Sequence, residues 1–293
     1  MLHLASYNIQ FGRGKDGQTD LARIAEDLGS PDLIALQEVE RGAARNGFQD
    51  QPAALAGFWP RMHWVYGPGI DLDASEETAT GITRRRRQFG NMVLSRWPIL
   101  SAVNHTLPKL ALAGHFHLQR TLLECVIATP DGPVRFCSVH LDHVSADTRR
   151  AQVTRMQEIA LDVRLRGVGA GGPIAGDWFD RPLPPVPEAA IIMGDMNFAP
   201  GGEEYARLFG DLDLRGRRTT RAGGLADAWL CAGHAEAAGV TFPGGDVPDH
   251  PRRIDHCFVT ADLTERVVAF RIGEDAQGSD HQPIFVDLAG VAG

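Results

Sequence analysis

Only four cysteines occur among the 293 residues, Cys125, Cys137, Cys231 and Cys257, and no two stand in C-x-x-C spacing. That argues against a zinc ribbon. If Asp131-Gly132 is the centre of the turn Pro130-Asp131-Gly132-Pro133, Cys125 faces Ser138 and Cys137 faces Val126. The two thiols then point to opposite faces of a hairpin and cannot bond. Reduced thiols and a cytoplasmic location are the expectation. An excess of positive charge is missing too. The net charge is −8 and the pI near 5.7, which argues against nucleic-acid binding driven by global charge and leaves room for a local basic patch. No apolar run is long enough to span a bilayer. The chain opens directly on a strand, Leu2-His3-Leu4-Ala5-Ser6-Tyr7, without the basic start and apolar run of a secretory signal. Low-complexity tracts, internal repeats and a clear linker are absent, and 43% of the residues are hydrophobic. One domain over residues 1–293 is expected.

What is present alternates between strand and helix signals. Leu21, Ile24, Ala25 and Leu28 repeat at helical spacing, with Thr19 or Asp20 to cap and Gly29 to stop. Leu33–Gln37 reads as a strand. Residues 41–88 predict a short helix near Pro52–Ala56 followed by a long excursion. Order resumes at Gly90–Ser95. Thr121–Ala128 and Val134–Val139 form a hairpin. A second helix, capped by Ser145 or Asp147, turns Val153, Met156, Ile159, Ala160 and Val163 inward and stops at Gly167. A strand at Ile191–Gly194, a short helix at Glu203–Phe209, and strands at Ile254–Thr260 and Ile284–Leu288 complete the reading. Helices do not alternate with every strand, which favours an α/β (α+β) fold of two packed sheets flanked by helices over a doubly wound parallel sheet.

Strand ends carry the chemistry. Ile191-Ile192-Met193-Gly194-Asp195-Met196-Asn197 is an apolar strand that delivers a carboxylate and a carboxamide two residues apart, on one face. Such a pair can hold a water against an electrophile. Asn8 ends Leu2–Ile9, Glu38 follows Leu36-Gln37, His140 ends Val134–Val139, and Asp280-His281 precedes Ile284–Leu288. A glutamate at a strand end is most often a surface residue; as a functional group it is a ligand for Mg²⁺, which prefers carboxylate oxygen and retained waters. Asn8 reads either as a turn residue or as an amide serving the same ion or its hydrogen-bonded shell. His140-Leu141-Asp142-His143 reads as a polar turn capped by Asp142, as a phosphate donor through a His140 imidazolium, or as a zinc site using His140, His143 and His256. H-x-x-H alone is a weak zinc signal. Asp255 can orient His281, fix its tautomer and raise its pKa, with Asp280 as a second metal-side ligand.

Seven motifs occur in order: Ser6-Tyr7-Asn8-Ile9, Leu36-Gln37-Glu38, Gly90-Asn91-Met92-Val93-Leu94-Ser95-Arg96, Val139-His140-Leu141, Gly194-Asp195-Met196-Asn197, Arg253-Ile254-Asp255-His256 and Ser279-Asp280-His281-Gln282-Pro283. Together they resemble the endonuclease/exonuclease/phosphatase superfamily, the deoxyribonuclease-I-like fold, from residue 6 to 288. The resemblance implies a four-layered αββα sandwich and a Mg²⁺-dependent phosphoester hydrolase at the shared edge of two sheets, with Mn²⁺ as a substitute ion. Asn8 and Glu38 match metal-side positions and His140 a phosphate-contacting histidine. Asp195 and Asn197 match the water-orienting pair, Asp255 the histidine-orienting aspartate, and Asp280-His281 the final catalytic pair. His256 departs from the pattern, standing where an aromatic residue often follows the aspartate. Arg149 and Gln152 resemble a helix pair that follows the histidine strand in small members. The substrate stays open among nucleic acid, nucleotide, inositol phosphate and phospholipid headgroup. Arg84-Arg85-Arg86-Arg87 reads as a solvated basic loop or a polyanion contact, and Trp59, Trp64 and Trp178 as packing or as stacking platforms. A catalytically silent binding module of the same fold is the rival class.

Overall fold

Strand β1 (Leu2–Asn8) sends its side chains alternately into two apolar layers, and that alternation sets the architecture. Leu2 and Leu4 join a cluster with Phe136, Ile191, Met193 and Val286; Ala5 and Tyr7 join another with Ile24, Leu28 and Leu55. A strand buried on both faces needs a covering layer on each side. In this computed structural model, which describes residues 1–172, 182–244 and 251–290, one cover is a second sheet and the other is helical.

After β1 the chain runs through α1 (Leu21–Leu28), β2 (Leu33–Arg41), α2 (Gln51–Phe58), β3 (His63–Asp73), the small hairpin β4 (Glu76–Thr78) and β5 (Gly81–Thr83), and β6 (Arg86–Ser95). Next come β7 (Ile99–Thr106), β8 (Thr121–Thr129), β9 (Gly132–His140), α3 (Ala146–Leu161), α4 (Val163–Arg166), β10 (Ala190–Asp195) and α5 (Glu203–Phe209). The last elements are β11 (Leu225–Asp227), α6 (Ala228–Cys231), β12 (Asp255–Thr260), β13 (Val267–Ile272) and β14 (Ile284–Leu288). One six-stranded sheet has the order β13-β14-β1-β2-β6-β3 and the other β11-β12-β10-β9-β8-β7. The central pair of each is parallel, β1 with β2 and β9 with β10, and the remaining neighbours are antiparallel. Helices α1 and α2 cover the first sheet, α3 and α5 the second. The expected αββα sandwich is the observed one.

The two long helices start where the spacing predicts, but the second breaks at Asp162 instead of running to Gly167, which ends the separate α4. Asp20 caps α1 by accepting from Ala22 N, and Gly29 ends it with φ at +66°. Ser145 caps α3 by accepting from Thr148 N, and Val153, Met156, Ile159 and Ala160 are buried against the second sheet. The excursion at 41–88 is more ordered than its polarity suggests. Beyond α2, strands β3 and β6 pair along their full length, with a register shift between Pro68 and Ile70; most of β3 lies at the surface, so no apolar alternation betrays it. The edge strands β7, β11 and β13 are likewise absent from the sequence reading. Strand β2 does not stop before Glu38 but passes through it to Arg41. In the β8–β9 hairpin Thr129 pairs with Gly132 and Cys125 with Phe136. The turn therefore centres on Pro130-Asp131, where proline's fixed φ suits the first central position. The thiols still point apart: Cys125 lies between the sheets, Cys137 under the helices, and all four cysteines are free. Among the described residues no helix is long and apolar enough to cross a membrane.

A buried ion cluster anchors the end of the second sheet remote from His140. Glu124 accepts from both guanidinium nitrogens of Arg166 (2.8 and 2.9 Å), from Arg135 (3.1 Å), and meets His105 Nε2 at 2.8 Å. Arg135, fully buried, also donates to the carbonyls of Ile159, Ala160, Pro187 and Glu188, closing the last turn of α3 onto β9. Burial raises the Glu124 carboxyl, but His105, Arg166 and Arg135 overcome it and bring it down to about 2 from 4.5. A depressed carboxylate contributes stability that is complete above about pH 4.5 and is lost as pH falls toward 2. Glu124→Gln is therefore expected to cost about 3 kcal/mol at neutral pH, with the gap to the parent protein closing near pH 2. Denaturant titrations across that range read it directly, and a pH-independent gap would contradict it.

Candidate active site

Strands β9, β10 and β12 end level. Asp195 is paired with His140 on one side and Asp255 on the other, so all three stand in one row at the edge of the second sheet. Gly194 permits this. Its φ is +152°, and a Cβ there would sit 1.9 Å from the Val139 carbonyl oxygen, so no larger residue fits before Asp195.

The facing edge of the first sheet carries a row of carboxamides, Asn8, Gln37 and Asn91, on the adjacent strands β1, β2 and β6. Each donates across to the second sheet. Asn8 Nδ2 reaches Asp195 Oδ2 at 2.9 Å, Gln37 Nε2 reaches Ser138 Oγ at 2.9 Å, and Asn91 Nδ2 reaches the Thr121 carbonyl at 2.8 Å. The sequence groups Asn8 with the metal-side residues, as a ligand or as part of the hydrogen-bonded shell; in the structure it bonds to carboxylates of the site. Its Oδ1 accepts from Gln10 N (3.1 Å), which turns the NH₂ group, not the oxygen, toward Asp195 and Glu38.

Glu38 sits in a β-bulge. The β2–β6 register shifts between Leu36 and Val39, and Glu38 takes φ = +59°. The extra residue re-aims its side chain. One oxygen lies 3.4 Å from Asn8 Nδ2 and 4.0 Å from His140 Nε2, and a fifth of the side chain stays exposed. Burial raises its pKa, opposed by Arg120 and His281.

His281 Nδ1 meets Asp255 Oδ2 at 2.8 Å, and its Nε2 lies 3.7 Å from Asp195 Oδ2. Burial disfavours the charged ring, but Asp255, Asp195 and Asp280 around it push it up to about 10. Among the described residues Asp195, Asp255 and His281 form a compact group whose donor atoms lie close enough together to hold a metal ion. Burial also acts on Asp195, yet His140, His281 and Asn8 hold that carboxyl far below the usual range. Its second oxygen accepts from Asn197 N at 2.9 Å, with Asn197 at φ = +53°. Asp280 stands behind, accepting from Gln10 Nε2 (2.8 Å) and Ser279 Oγ (3.2 Å).

Arg120 is the residue that the sequence reading lacks. Its NH1 donates to His140 Nδ1 at 2.9 Å and its NH2 to His143 Nδ1 at 3.0 Å. A guanidinium only donates, so both Nδ1 atoms are unprotonated and His140 carries its proton on Nε2, 3.2 Å from Asp195 Oδ2. Burial, and then the Arg120 charge, lower His140 to about 4. His140 is thus a neutral donor rather than an imidazolium. The same device recurs beside it: Arg253 NH1 donates to His256 Nδ1 (2.9 Å) and His256 Nε2 bonds the Phe198 carbonyl (3.1 Å). With both its nitrogens engaged in a fully buried site, His256 is no ligand, and a zinc site of His140, His143 and His256 does not assemble.

A cleft of about 910 Å³ opens above these groups. Glu38, His140, Asp195, Asn197 and His281 line it, whereas Asn8, Asp255 and Asp280 support it from behind. The basic run is divided by the strand it occupies. Arg85 pairs with Glu76 and Arg86 with Asp71, while Arg87 faces the cleft. The aromatic lining is Phe11, Phe89, Phe116 and Phe242. Trp59 packs under α2 with Nε1 on the Gly29 carbonyl, Trp64 is outside the lining, and Trp178 lies outside the described residues. Heteronuclear NMR of the histidine ring nitrogens at about pH 8, above the free-imidazole pKa, should find His281 doubly protonated and His140 protonated on Nε2 alone. Asp255→Asn, which removes the main attraction raising His281, should move its titration downward. A His140 proton on Nδ1 would contradict the assignment.

The Endonuclease/Exonuclease/phosphatase family profile matches residues 5–281. Among solved structures, an endonuclease/exonuclease/phosphatase from Beutenbergia cavernae DSM 12333 is 23% identical, with a TM-score of 0.63 over 99% of this chain and 73% of its own. A mannosyl-6-phosphatase of Bacteroides thetaiotaomicron VPI-5482 is 19% identical, with a TM-score of 0.66 over 99% of this chain and 100% of its own. The catalytic domain of human Nocturnin is 12% identical, with a TM-score of 0.58 over 98% and 94%. At these identities the likeness establishes the fold. A search of curated proteins found no match. With the profile spanning nearly the whole sequence, the chain belongs to the endonuclease/exonuclease/phosphatase family.

Proposed function

We propose that this protein is a Mg²⁺-dependent hydrolase of phosphate esters that acts through water as a single catalytic unit over its length. The observation that carries the reading is the convergence of Glu38 from one sheet with His140, Asp195 and Asn197 from the other, and of His281, around one cleft. Glu38 suits a hard cation: its carboxylate lines the cleft, and its one hydrogen-bond partner among the described residues, Asn8 Nδ2 at 3.4 Å, is weak. Magnesium typically takes one or two protein carboxylates, keeps several waters and binds substrate phosphate; Asp280, near enough to raise the Glu38 pKa, is the second candidate. Bound there, the ion would neutralise phosphoryl charge, and Mn²⁺ would substitute.

The protein side supplies the rest. Asp195, kept ionised, accepts a hydrogen bond from the attacking water and aligns it. Asn197, anchored by Nδ2 to the Leu141 carbonyl (3.0 Å), positions that water through its carboxamide. His281, held charged by Asp255, donates to the phosphoryl oxygens as their charge grows, and His140 adds a neutral donor. The cleft volume falls within the range usual for small-molecule sites, and the net charge is −8. Both favour a nucleotide, sugar phosphate, inositol phosphate or lipid headgroup, or a nucleic-acid end, over duplex DNA. The mannosyl-6-phosphatase among the similar structures adds sugar phosphomonoesters to the panel. Four free cysteines fit a reducing compartment such as the cytoplasm.

A panel of phosphomonoesters and phosphodiesters with Mg²⁺ tests the reading. Turnover should vanish with a chelator, return with Mg²⁺ or Mn²⁺, and fall on the order of 100- to 1000-fold or more in Asp195→Ala and in His281→Ala. Silence across the panel with metal bound would favour a binding module instead, and stoichiometric zinc in protein purified without chelator would overturn the magnesium assignment.

A further inference from the structure

The reaction outlined above uses His140 and leaves the other half of the H-x-x-H pair idle. His143 stands three residues beyond the end of β9, at the turn into α3, and its side chain lines the cleft. Its backbone is tightly held. Asp142 N donates to Gln152 Oε1 (2.8 Å), Asp142 Oδ2 accepts from Val144 N (3.2 Å) and Ser145 N (2.7 Å), and the Asp142 carbonyl accepts from Arg149 (3.1 Å). Arg149 and Gln152, the helix pair noted in the sequence, therefore fix the turn that presents His143. The ring makes one hydrogen bond in the structure, through Nδ1 to Arg120 NH2.

We infer that His143 is a substrate-binding residue that donates its Nε2–H to an anionic oxygen of the phosphate ester, a role that rests on the phosphoester reading above. Three observations carry it. The Arg120 guanidinium can only donate, so it forces the His143 proton onto Nε2, as it does for His140. Nε2 has no partner among the described residues: the side chain is exposed, held at Nδ1 by Arg120, and lines the cleft. Arg120 is itself buried and makes no salt bridge among the described residues; its charge lies beside both rings, and whereas His140 Nε2 lies 3.2 Å from Asp195 Oδ2, His143 Nε2 is left to an acceptor in the cleft. Burial and the Arg120 charge both lower the His143 pKa, which favours the neutral ring. A ring whose task were to hold the turn would not be needed, since the backbone is already held at Asp142, Val144 and Ser145.

The test combines three variants with two readouts. His143→Phe keeps the ring volume and removes the donor; His143→Gln places an amide N–H near the Nε2 position. With bis(p-nitrophenyl) phosphate or p-nitrophenyl phosphate as substrate and inorganic phosphate as competitor, His143→Phe should raise KM and the phosphate inhibition constant about 10- to 100-fold, as expected for a lost bond to a charged acceptor. kcat should change less, and His143→Gln should recover most of the affinity. Independently of turnover, titrating inorganic phosphate with Mg²⁺ into the protein should shift the His143 Nε2 resonance, while Arg120→Met should free the ring to adopt the other tautomer. Unchanged KM and inhibition constant in His143→Phe, or a His143 proton on Nδ1 in the parent protein, would overturn the inference. Absence of any turnover in the parent protein would instead sink the phosphoester reading, with the phosphate titration still deciding for or against His143 as an oxyanion donor.

Discussion

Three buried carboxamides hold this molecule's two halves in register. Asn8, Gln37 and Asn91 sit side by side on β1, β2 and β6, and each donates across the sandwich, to Asp195, Ser138 and Thr121 on β10, β9 and β8. Away from this edge the sheets meet through Leu4, Ala35, Phe136, Met193 and Val286, whose contacts are non-directional and tolerate sliding. Amide bonds do not. A buried amide left unpaired costs roughly 1–3 kcal/mol, so a slipped or splayed arrangement would forfeit several such bonds at once. The active edge is the place where that cost is concentrated, and it is also where Glu38 from one sheet must stand within reach of His140 and Asp195 from the other. Gln37 and Asn91 are the fasteners that make the constellation possible.

The local backbone is bent to match. Among the described residues five non-glycine positions adopt positive φ, and Gln10, Phe11, Glu38 and Asn197 are four of them. Phe11, Glu38 and Asn197 line the cleft, and Gln10 holds Asp280. Conformations of this kind cost on the order of 1–3 kcal/mol each and persist where surrounding structure enforces them. The enforcing contacts are visible: Asn197 N on Asp195, Asn197 Nδ2 on Leu141, Gln10 N on Asn8, and the bulge pairing on both sides of Glu38. Regular strands would send Gln37 and Glu38 to opposite faces and Asp195 away from the turn. The strain converts strand ends into a concave site.

The parts of the fold legible in the sequence are those with two-sided burial or a capped apolar stripe. Strands β1, β10 and β14 and helices α1, α3 and α5 announce themselves because nearly every inward position is apolar and the ends of the two capped helices carry Asp20, Gly29 or Ser145. Strands β3 and β7 do not, because they lie at sheet edges with solvent on one face, where composition is loosely constrained. For the site, ordered polar strand ends suffice to name the acidic and histidine residues, since those residue types are conspicuous after apolar runs. Arg120 is invisible by the same logic. It precedes β8 in a loop and touches His140 only because β8 and β9 are neighbours. Its signal is tertiary, and so is the protonation state it imposes. The correction of His140 from cation to neutral donor, and of His256 from candidate ligand to buried clamp, follows from which nitrogen an arginine reaches, a matter of ångströms rather than of spacing.

Those arginines also explain how the centre holds its charges apart. Two further aspartates, Asp255 and Asp280, and Glu38 crowd around Asp195, and four histidines stand within or beside the same edge. Were all four rings cationic, the carboxylates would be compensated within the protein, and little electrostatic attraction would remain for an added cation. Arg120 and Arg253 prevent this by occupying Nδ1 of three rings, so that only His281, facing Asp255, becomes an imidazolium. The positive charge near His140 and His143 then resides in a buried guanidinium that cannot enter the cleft, neutralise Glu38 by contact, or release a proton. Among the described residues the nearest ion-pair partner of Glu38 is His140 Nε2 at 4.0 Å, and the two stand on the same wall as the His143 N–H backed by a fixed cation. A carboxylate beside a donor of this kind is the electrostatic arrangement that suits a divalent ion together with a phosphate oxyanion. It accounts for why the edge spends arginines on histidines instead of on the carboxylates that surround them.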